Sequence, residues 1–157
     1  MWTAMRRTRR YALAAVVLSL ASVVAQAACQ VTIGHLSFGP YDAFACTDSC
    51  TSGALTVHCS MSPAPTVRVR SAPSAVSGTF NPRRMRQAGG QETLAYNLYV
   101  DPAGTQVWGD GSGGTLTLNE NVQAGRPWRV TIYARIPPGQ DVTPGTYTDT
   151  LSITIDF

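Results

Sequence analysis

Not one of the 157 residues is a lysine: all twelve basic side chains are arginines, and only two histidines, His35 and His58, are present. Four of those arginines fall within the first ten residues, which leaves eight against nine carboxylates, a net of about −1, in the remainder. A chain so near neutrality carries no electrostatic footprint for nucleic acid or acidic lipid. Its densest basic spot, Arg83-Arg84-Met85-Arg86 after Asn81-Pro82, reads as a solvated loop. No apolar stretch keeps a 3.6-residue period for three turns, so no helix is expected, nor any helix N-terminus to cradle a phosphate. With the cysteines paired, two histidines leave a zinc site short of ligands. Asp110-Gly-Ser-Gly-Gly114 is too poor in carboxylates for a calcium loop. No cofactor and no small-molecule substrate is expected.

The first 27 residues read as an export signal. Arg6, Arg7, Arg9 and Arg10 precede an apolar run from Tyr11 to Val24, and Ala25-Gln26-Ala27 supplies small residues at both recognition positions of a cleavage site. A spanning helix needs ~20 apolar residues, and this run has fourteen. Residues 28–157 are then expected to leave the cytoplasm as one domain, long enough to bury ~68% of the unfolded surface around a single core. All four cysteines, Cys29, Cys46, Cys50 and Cys59, lie in the first third of that domain, and in an exported chain they read as oxidised. Three pairings are possible. Cys29-Gln-Val-Thr-Ile33 and Ala54-Leu-Thr-Val-His-Cys59 are strand-like runs whose ends could meet, and Cys46 and Cys50 enclose only Thr47-Asp48-Ser49. Cys29 with Cys59, as a core staple, and Cys46 with Cys50, as a local loop clip, keep plausible Cα separations.

What remains is short extended runs punctuated by glycine, proline and serine, an all-β pattern. Strands are expected over Cys29 to Phe38, Ala54 to Cys59, Thr66 to Arg70, Thr93 to Val100, Gln106 to Trp108, Thr115 to Leu118, Arg129 to Ile136 and Tyr147 to Phe157. Long connections such as Ser71 to Gln91 favour a sandwich over an up-and-down barrel. Asp101-Pro-Ala-Gly104 makes a type I hairpin turn, and Thr143-Pro-Gly145 turns into the last strand after the Ile136-Pro-Pro-Gly139 break. In that last strand Tyr147, Leu151, Ile153, Ile155 and Phe157 share one side, opposite threonine, serine and aspartate. Its backbone polar groups need a neighbour, and either an earlier strand or another chain must supply it.

Leu55-Thr-Val-His-Cys59 and Gly109-Asp-Gly-Ser-Gly-Gly114 superficially resemble the histidine and serine motifs of a chymotrypsin-like protease. Gly111 separates Asp110 from Ser112, however, and Asp101 stands only eleven residues before that serine. A triad needs its three members in one hydrogen-bonded line, and a double-barrel protease needs a far longer chain. A hydrolase built on His58 and Ser112 is therefore a remote alternative, and the chain reads as non-enzymatic.

Phe38-Gly-Pro-Tyr-Asp42, Leu55-Thr-Val-His-Cys59, Leu94-Ala-Tyr-Asn-Leu-Tyr-Val-Asp101, Val107-Trp-Gly-Asp-Gly111 and Pro144-Gly-Thr-Tyr-Thr-Asp-Thr-Leu-Ser-Ile-Thr-Ile155 follow one another in this order. Together they resemble the spore coat protein U domain family, which includes subunits of archaic, Csu-type chaperone-usher pili. The resemblance runs over essentially the whole of residues 28–157. It implies an incomplete immunoglobulin-like, pilin-type β-sandwich of about seven strands that lacks its last strand. A periplasmic chaperone would complete it first and a neighbouring subunit's extension later, at an outer-membrane usher, by donor-strand complementation that uses main-chain bonds for affinity and side-chain pockets for specificity. Tyr147, Leu151, Ile153, Ile155 and Phe157 would line one wall of the open groove, and Val31, Ile33, Leu36 and Phe38 the other. Such a subunit would pass through the periplasm to the cell surface and serve in attachment or biofilm formation. Cleavage after Ala27 would leave only Ala28 ahead of Cys29, so the chain is expected to accept a strand but not to give one. That suits a terminal subunit, a self-contained secreted coat or matrix protein, or a domain whose groove is closed by its own residues.

Overall fold

A computed structural model describes residues 29–60 and 65–157; the expected export signal lies outside the described residues. The described residues form nine strands: β1 Cys29–Ile33, β2 Ser49–Cys59, β3 Thr66–Ser71, β4 Arg83–Gln87, β5 Thr93–Tyr99, β6 Leu118–Asn121, β7 Trp128–Ile136, β8 Tyr147–Thr148 and β9 Ile153–Asp156. They make a six-stranded sheet in the order β1-β2-β7-β5-β4-β8 and a three-stranded sheet in the order β6-β3-β9, with every pair antiparallel. The all-β sandwich is as expected. Its core comes from period-two alternation: Leu55, Val57 and Cys59 on β2, Leu94, Tyr96 and Leu98 on β5, and Ile132, Ala134 and Ile136 on β7 face Val67 and Val69 of β3.

Several boundaries differ from the sequence expectation, each for a local reason. β1 ends at Ile33, because past the Gly34 N–H bond to the Ala54 carbonyl (2.9 Å) the chain leaves the sheet as a loop. β2 begins five residues early, at Ser49, drawn out by pairing with β7. Gln106 to Trp108 supplies only isolated bridges, Tyr99 to Val107 and Trp108 to Leu116, around the Asp101 to Gly104 turn. The final run is two strands: β8 pairs with β4 in the large sheet and β9 with β3 in the small one, so residues 149–152 carry the chain from one sheet to the other. Side-chain alternation persists through the crossing, from Tyr147 through Leu151 and Ile153 to Ile155. For that reason the sequence pattern shows no break.

The largest correction concerns Arg83, which is no loop residue but opens β4 with 0% of its surface exposed. Its guanidinium donates to Asn97 Oδ1 (2.8 Å) and the Phe80 carbonyl (3.1 Å) from one nitrogen. From the other it donates to the Trp108 carbonyl (2.7 Å), Ser71 Oγ (3.2 Å) and the Ala72 carbonyl (3.3 Å). Asn97 is on β5 and Ser71 on β3, so one side chain joins the two sheets. Burial pulls its pKa below the ordinary arginine value, against the pull of Tyr96 and Asp149. Arg84 and Arg86 do face solvent.

Cys29 and Cys59 are bonded and stand directly opposite one another across β1 and β2. The bond fixes an edge strand to its neighbour. By the chain-entropy argument, closing a loop of this length (sequence separation 30) contributes about 3–4 kcal/mol. Cys29→Ala with Cys59→Ala is expected to lose that much in urea unfolding, and an unchanged midpoint would refute the assignment. The expected clip between Cys46 and Cys50 is not formed: both are exposed free thiols. The reason is β2's early start. Ser49 and Cys50 are already extended opposite Ile136 and Arg135, and Cys50 stands on the outward face of the strand.

Candidate functional site: a hollow end and an open strand edge

The sandwich is closed at one end and hollow at the other. Around the disulfide, Val57, Cys59, Val67 and Val122 are essentially inaccessible. At the opposite end, marked by the Ser49 to Ile136 pairing, the sheets gape around a cavity of about 1310 Å³. Six of the nine expected wall residues surround it: Ile33, Leu36 and Phe38 on one side, Tyr147, Leu151 and Ile153 on the other. Val31 and Ile155 pack partly buried against the core outside the cavity, and Phe157 is 57% exposed. Tyr96, Leu94 and Ile136 form the floor. These three carry only the ordinary signature of core strand residues.

The 34–44 loop crosses the cavity mouth. Gly53 makes this possible, since a Cβ there would stand 2.9 Å from Leu36 Cδ2. Phe38 meets Tyr96 edge to face, with centroids 6.2 Å apart. Tyr41 donates its hydroxyl to the Pro137 carbonyl (3.0 Å) and accepts the Gln140 N–H (3.0 Å). Gln140 has a second role: its amide accepts from Ala95 N–H (2.7 Å) and donates to the Ala95 carbonyl (2.9 Å). Proline lacks an N–H, so β7 cannot continue through Pro137, and the glutamine side chain stands in for the missing peptide unit.

Polar side chains on the β4–β5 hairpin hold the far wall. Tyr96 donates to Asp149 Oδ2 (2.8 Å), and burial, followed by that bond, raises the phenol's pKa. Gln87 Nε2 donates to Thr143 Oγ1 (2.9 Å) and the Pro144 carbonyl (3.3 Å). Glu92 Oε2 accepts from the Thr143 N–H (2.7 Å), the Thr143 hydroxyl (2.8 Å) and the Tyr147 hydroxyl (3.1 Å). The Thr143 backbone bond leads the effects that hold this carboxyl below its ordinary 4.5. A carboxyl with a depressed folded-state pKa contributes stability that is present above its ordinary value and is lost as pH falls through the depressed one. The urea midpoint is therefore expected to fall more steeply below about pH 4.5 in the wild type than in Glu92→Gln, and equal slopes would remove Glu92 from the wall.

Along β9 the open edge has a defined polarity. The Ser152 carbonyl accepts from Ala72 N–H (2.9 Å), on the β3 side. In an antiparallel ladder, successive residues turn their N–H and C=O groups to opposite sides. Thr154 and Asp156 therefore address β3, as their register with Arg70 and Arg68 requires, while the backbone groups of Ile153 and Ile155 point away from it. Among the described residues no strand pairs with that outer edge. The same two isoleucines turn their side chains inward. On the outward face, Arg70 binds Asp156 with two nitrogen-to-oxygen contacts (3.0 and 3.1 Å) and fixes the register.

The residues weighed for catalysis serve local turns. Ser112 Oγ donates to Asp110 Oδ1 (2.6 Å), and the Asp101 carboxylate accepts from Thr105 and Gln106 to hold the hairpin. His58 faces outward on β2 opposite Gln30. Among the described residues no three of histidine, cysteine, aspartate and glutamate gather into a metal site. No helix among them is long and apolar enough to cross a membrane.

Comparison with known proteins bears on this geometry. The family model described as Spore Coat Protein U domain matches residues 15–154. "Protein U" of Myxococcus xanthus is 35% identical over 132 residues, which cover 79% of this chain and 72% of that protein. Among solved structures, a chain of the CsuC–CsuE chaperone–tip adhesion subunit pre-assembly complex, from archaic chaperone-usher Csu pili of Acinetobacter baumannii, superposes with a TM-score of 0.59 at 16% identity. A chain of a chaperone–tip adhesin complex of CFA/I fimbriae gives 0.53 at 13% identity. At such identities the likeness is one of fold. This chain is covered to 82% and 80% in the two cases but spans only 39% and 41% of those chains.

Proposed function

We propose, since the chain belongs to the Spore Coat Protein U domain family, that it is an exported structural subunit of a chaperone-usher surface appendage and accepts a β-strand in trans. The observation that carries this reading is the outer edge of β9, which no strand among the described residues pairs, beside a hollow core end. An incoming strand would bond to the backbone of Ile153 and Ile155 and drop alternate apolar side chains between Leu36, Phe38, Tyr147 and Leu151. A periplasmic chaperone is the first donor and a neighbouring subunit the second, with an outer-membrane usher as the assembly platform. Attachment of the cell to surfaces is the role such an appendage serves.

A second reading, a self-contained secreted coat protein, has one observation in its favour. Tyr41 ties the 34–44 loop across the cavity mouth to Pro137 and Gln140. Production of the mature chain with and without a family-type periplasmic chaperone separates the two. Strand acceptance predicts aggregation or proteolysis alone and a soluble one-to-one complex with the chaperone. A soluble lone monomer with a sharp melting transition, indifferent to the chaperone, would favour the second reading.

A further inference from the structure

The 34–44 loop is held over the cavity almost entirely by side chains. Beyond the Gly34 N–H at its root, no backbone group of residues 35–44 bonds to a strand among the described residues; the remaining bonds are local, from the Phe44 N–H to Asp42 Oδ1 (2.9 Å) and from the Ala45 N–H to the Asp42 carbonyl (3.2 Å). Leu36, Phe38 and Tyr41 reach inward, each half-buried against the core. Phe38 covers Tyr96 on the cavity floor, so an apolar side chain bound for that floor competes with it. The Tyr41 hydroxyl supplies the loop's polar tie, to the Pro137 carbonyl and the Gln140 N–H. Both partners lie in the connection that runs on into the far wall, and the Gln140 side chain is itself bonded to Ala95 on β5. One hydroxyl therefore joins the two segments that form the mouth.

We propose that the 34–44 loop is a displaceable strap, latched across the cavity by Tyr41 in the lone chain and swung outward by the strand that enters; the nature of that occupant rests on the strand-accepting reading above. Release of the Tyr41 hydroxyl frees the loop from the far side of the mouth and takes Phe38 off Tyr96. Leu36 and Phe38 then line a widened groove. The latch also selects. Apparent affinity for anything entering the cavity is reduced by the fraction of chains that are open. An apolar segment that gains nothing from the β9 edge is held out by that penalty, whereas a strand that also bonds to the Ile153 and Ile155 backbone offsets it. Opening is local, because it breaks no ladder bond of either sheet.

The test compares the chain of residues 28–157, in dilute solution, with three variants. Tyr41→Phe removes only the latch oxygen. Gly53→Ala places a Cβ 2.9 Å from Leu36 Cδ2 and pushes the strap away near its root. Tyr133→Phe removes the same atom from β7 outside the cavity and serves as control. Each is titrated with Nile red, a neutral apolar dye. Tyr41→Phe should bind the dye roughly tenfold more tightly than wild type, Gly53→Ala should also exceed wild type, and Tyr133→Phe should match it. The urea midpoint of Tyr41→Phe should stay near wild type, and its rate of capture by the periplasmic chaperone should rise by a factor similar to the gain in dye affinity. Equal dye affinity in Tyr41→Phe and wild type would overturn the strap, whatever the chaperone does. Tighter dye binding by Tyr41→Phe, with no capture of any of the four chains, would refute strand acceptance and leave the strap standing.

Discussion

Arg83→Ala is expected to lower the unfolding free energy by about 4 kcal/mol or more, placing it among the exceptional single substitutions. The change removes the guanidinium from the buried Trp108 carbonyl and Asn97 Oδ1 and from the half-buried Phe80 and Ala72 carbonyls; Asn97 Oδ1 keeps the Leu98 N–H and the Ala72 carbonyl keeps the Ser71 hydroxyl, so the Trp108 carbonyl bears the deepest loss. A buried acceptor without a partner costs about 1–3 kcal/mol, and the losses here are shared and not additive. For a domain of this size the melting temperature should fall by roughly 10–20 °C. Arg83→Lys should recover less than half, since a single ammonium cannot span the fork between Asn97 on one sheet and Trp108. Arg84→Ala, one residue along and exposed, should stay within about 0.5 kcal/mol. Equal effects at positions 83 and 84, read by thermal or urea unfolding, would contradict the buried network.

Ile153→Asp is expected to abolish capture by a periplasmic chaperone. The residue lines the cavity, and its backbone faces the open edge, so an incoming strand would seal the new carboxylate away from water with no cation beside it. Ile155→Asp should behave likewise, through loss of packing on the core opposite Val69. Thr154→Asp provides the control, because Thr154 is exposed and its backbone addresses β3. Co-purification with the chaperone should fall more than tenfold for the two isoleucine variants and stay near wild type for the threonine variant. Normal recovery of complex with both isoleucine variants would refute strand acceptance at this edge.

Much of this architecture is legible in sequence because it rests on period-two patterning and covalent geometry. Leu55, Val57 and Cys59, or Ile132, Ala134 and Ile136, announce an inner face by alternation alone, and Cys29 with Cys59 follows from two strands of compatible length. The Ile136-Pro-Pro-Gly139 stop and the Asp101 to Gly104 turn are local chemistry, and the chain obeys it. What could not be read is satisfied from a distance. Arg83 sits in a run of arginines that looks solvated, and the carbonyls and amide that hold it come from as far as Trp108. The break between β8 and β9 leaves the alternation intact, so only the pairing partners, Gln87 against Val69, reveal that the strand changes sheets. Glu92, Gln140 and Tyr41 shape the cavity through bonds across 51, 45 and 96 residues; Glu92 and Gln140 carry no local motif, and the Phe38-Gly-Pro-Tyr-Asp42 motif that holds Tyr41 does not show its partners. Of the expected walls, the six residues nearest the loop and the crossing surround the cavity, while Phe157 extends past the last ladder pair into solvent.

Amide hydrogen exchange of β9, followed residue by residue, tests most directly whether this edge is completed by another chain. In a chain of residues 28–157 freed of partners, the Ile153 and Ile155 amides should exchange quickly while those of Thr154 and Asp156, bonded toward β3, are protected; in the chaperone complex all four should be slow. Slow exchange of Ile153 and Ile155 in the lone protein would contradict the account, because that edge would then already be paired from within.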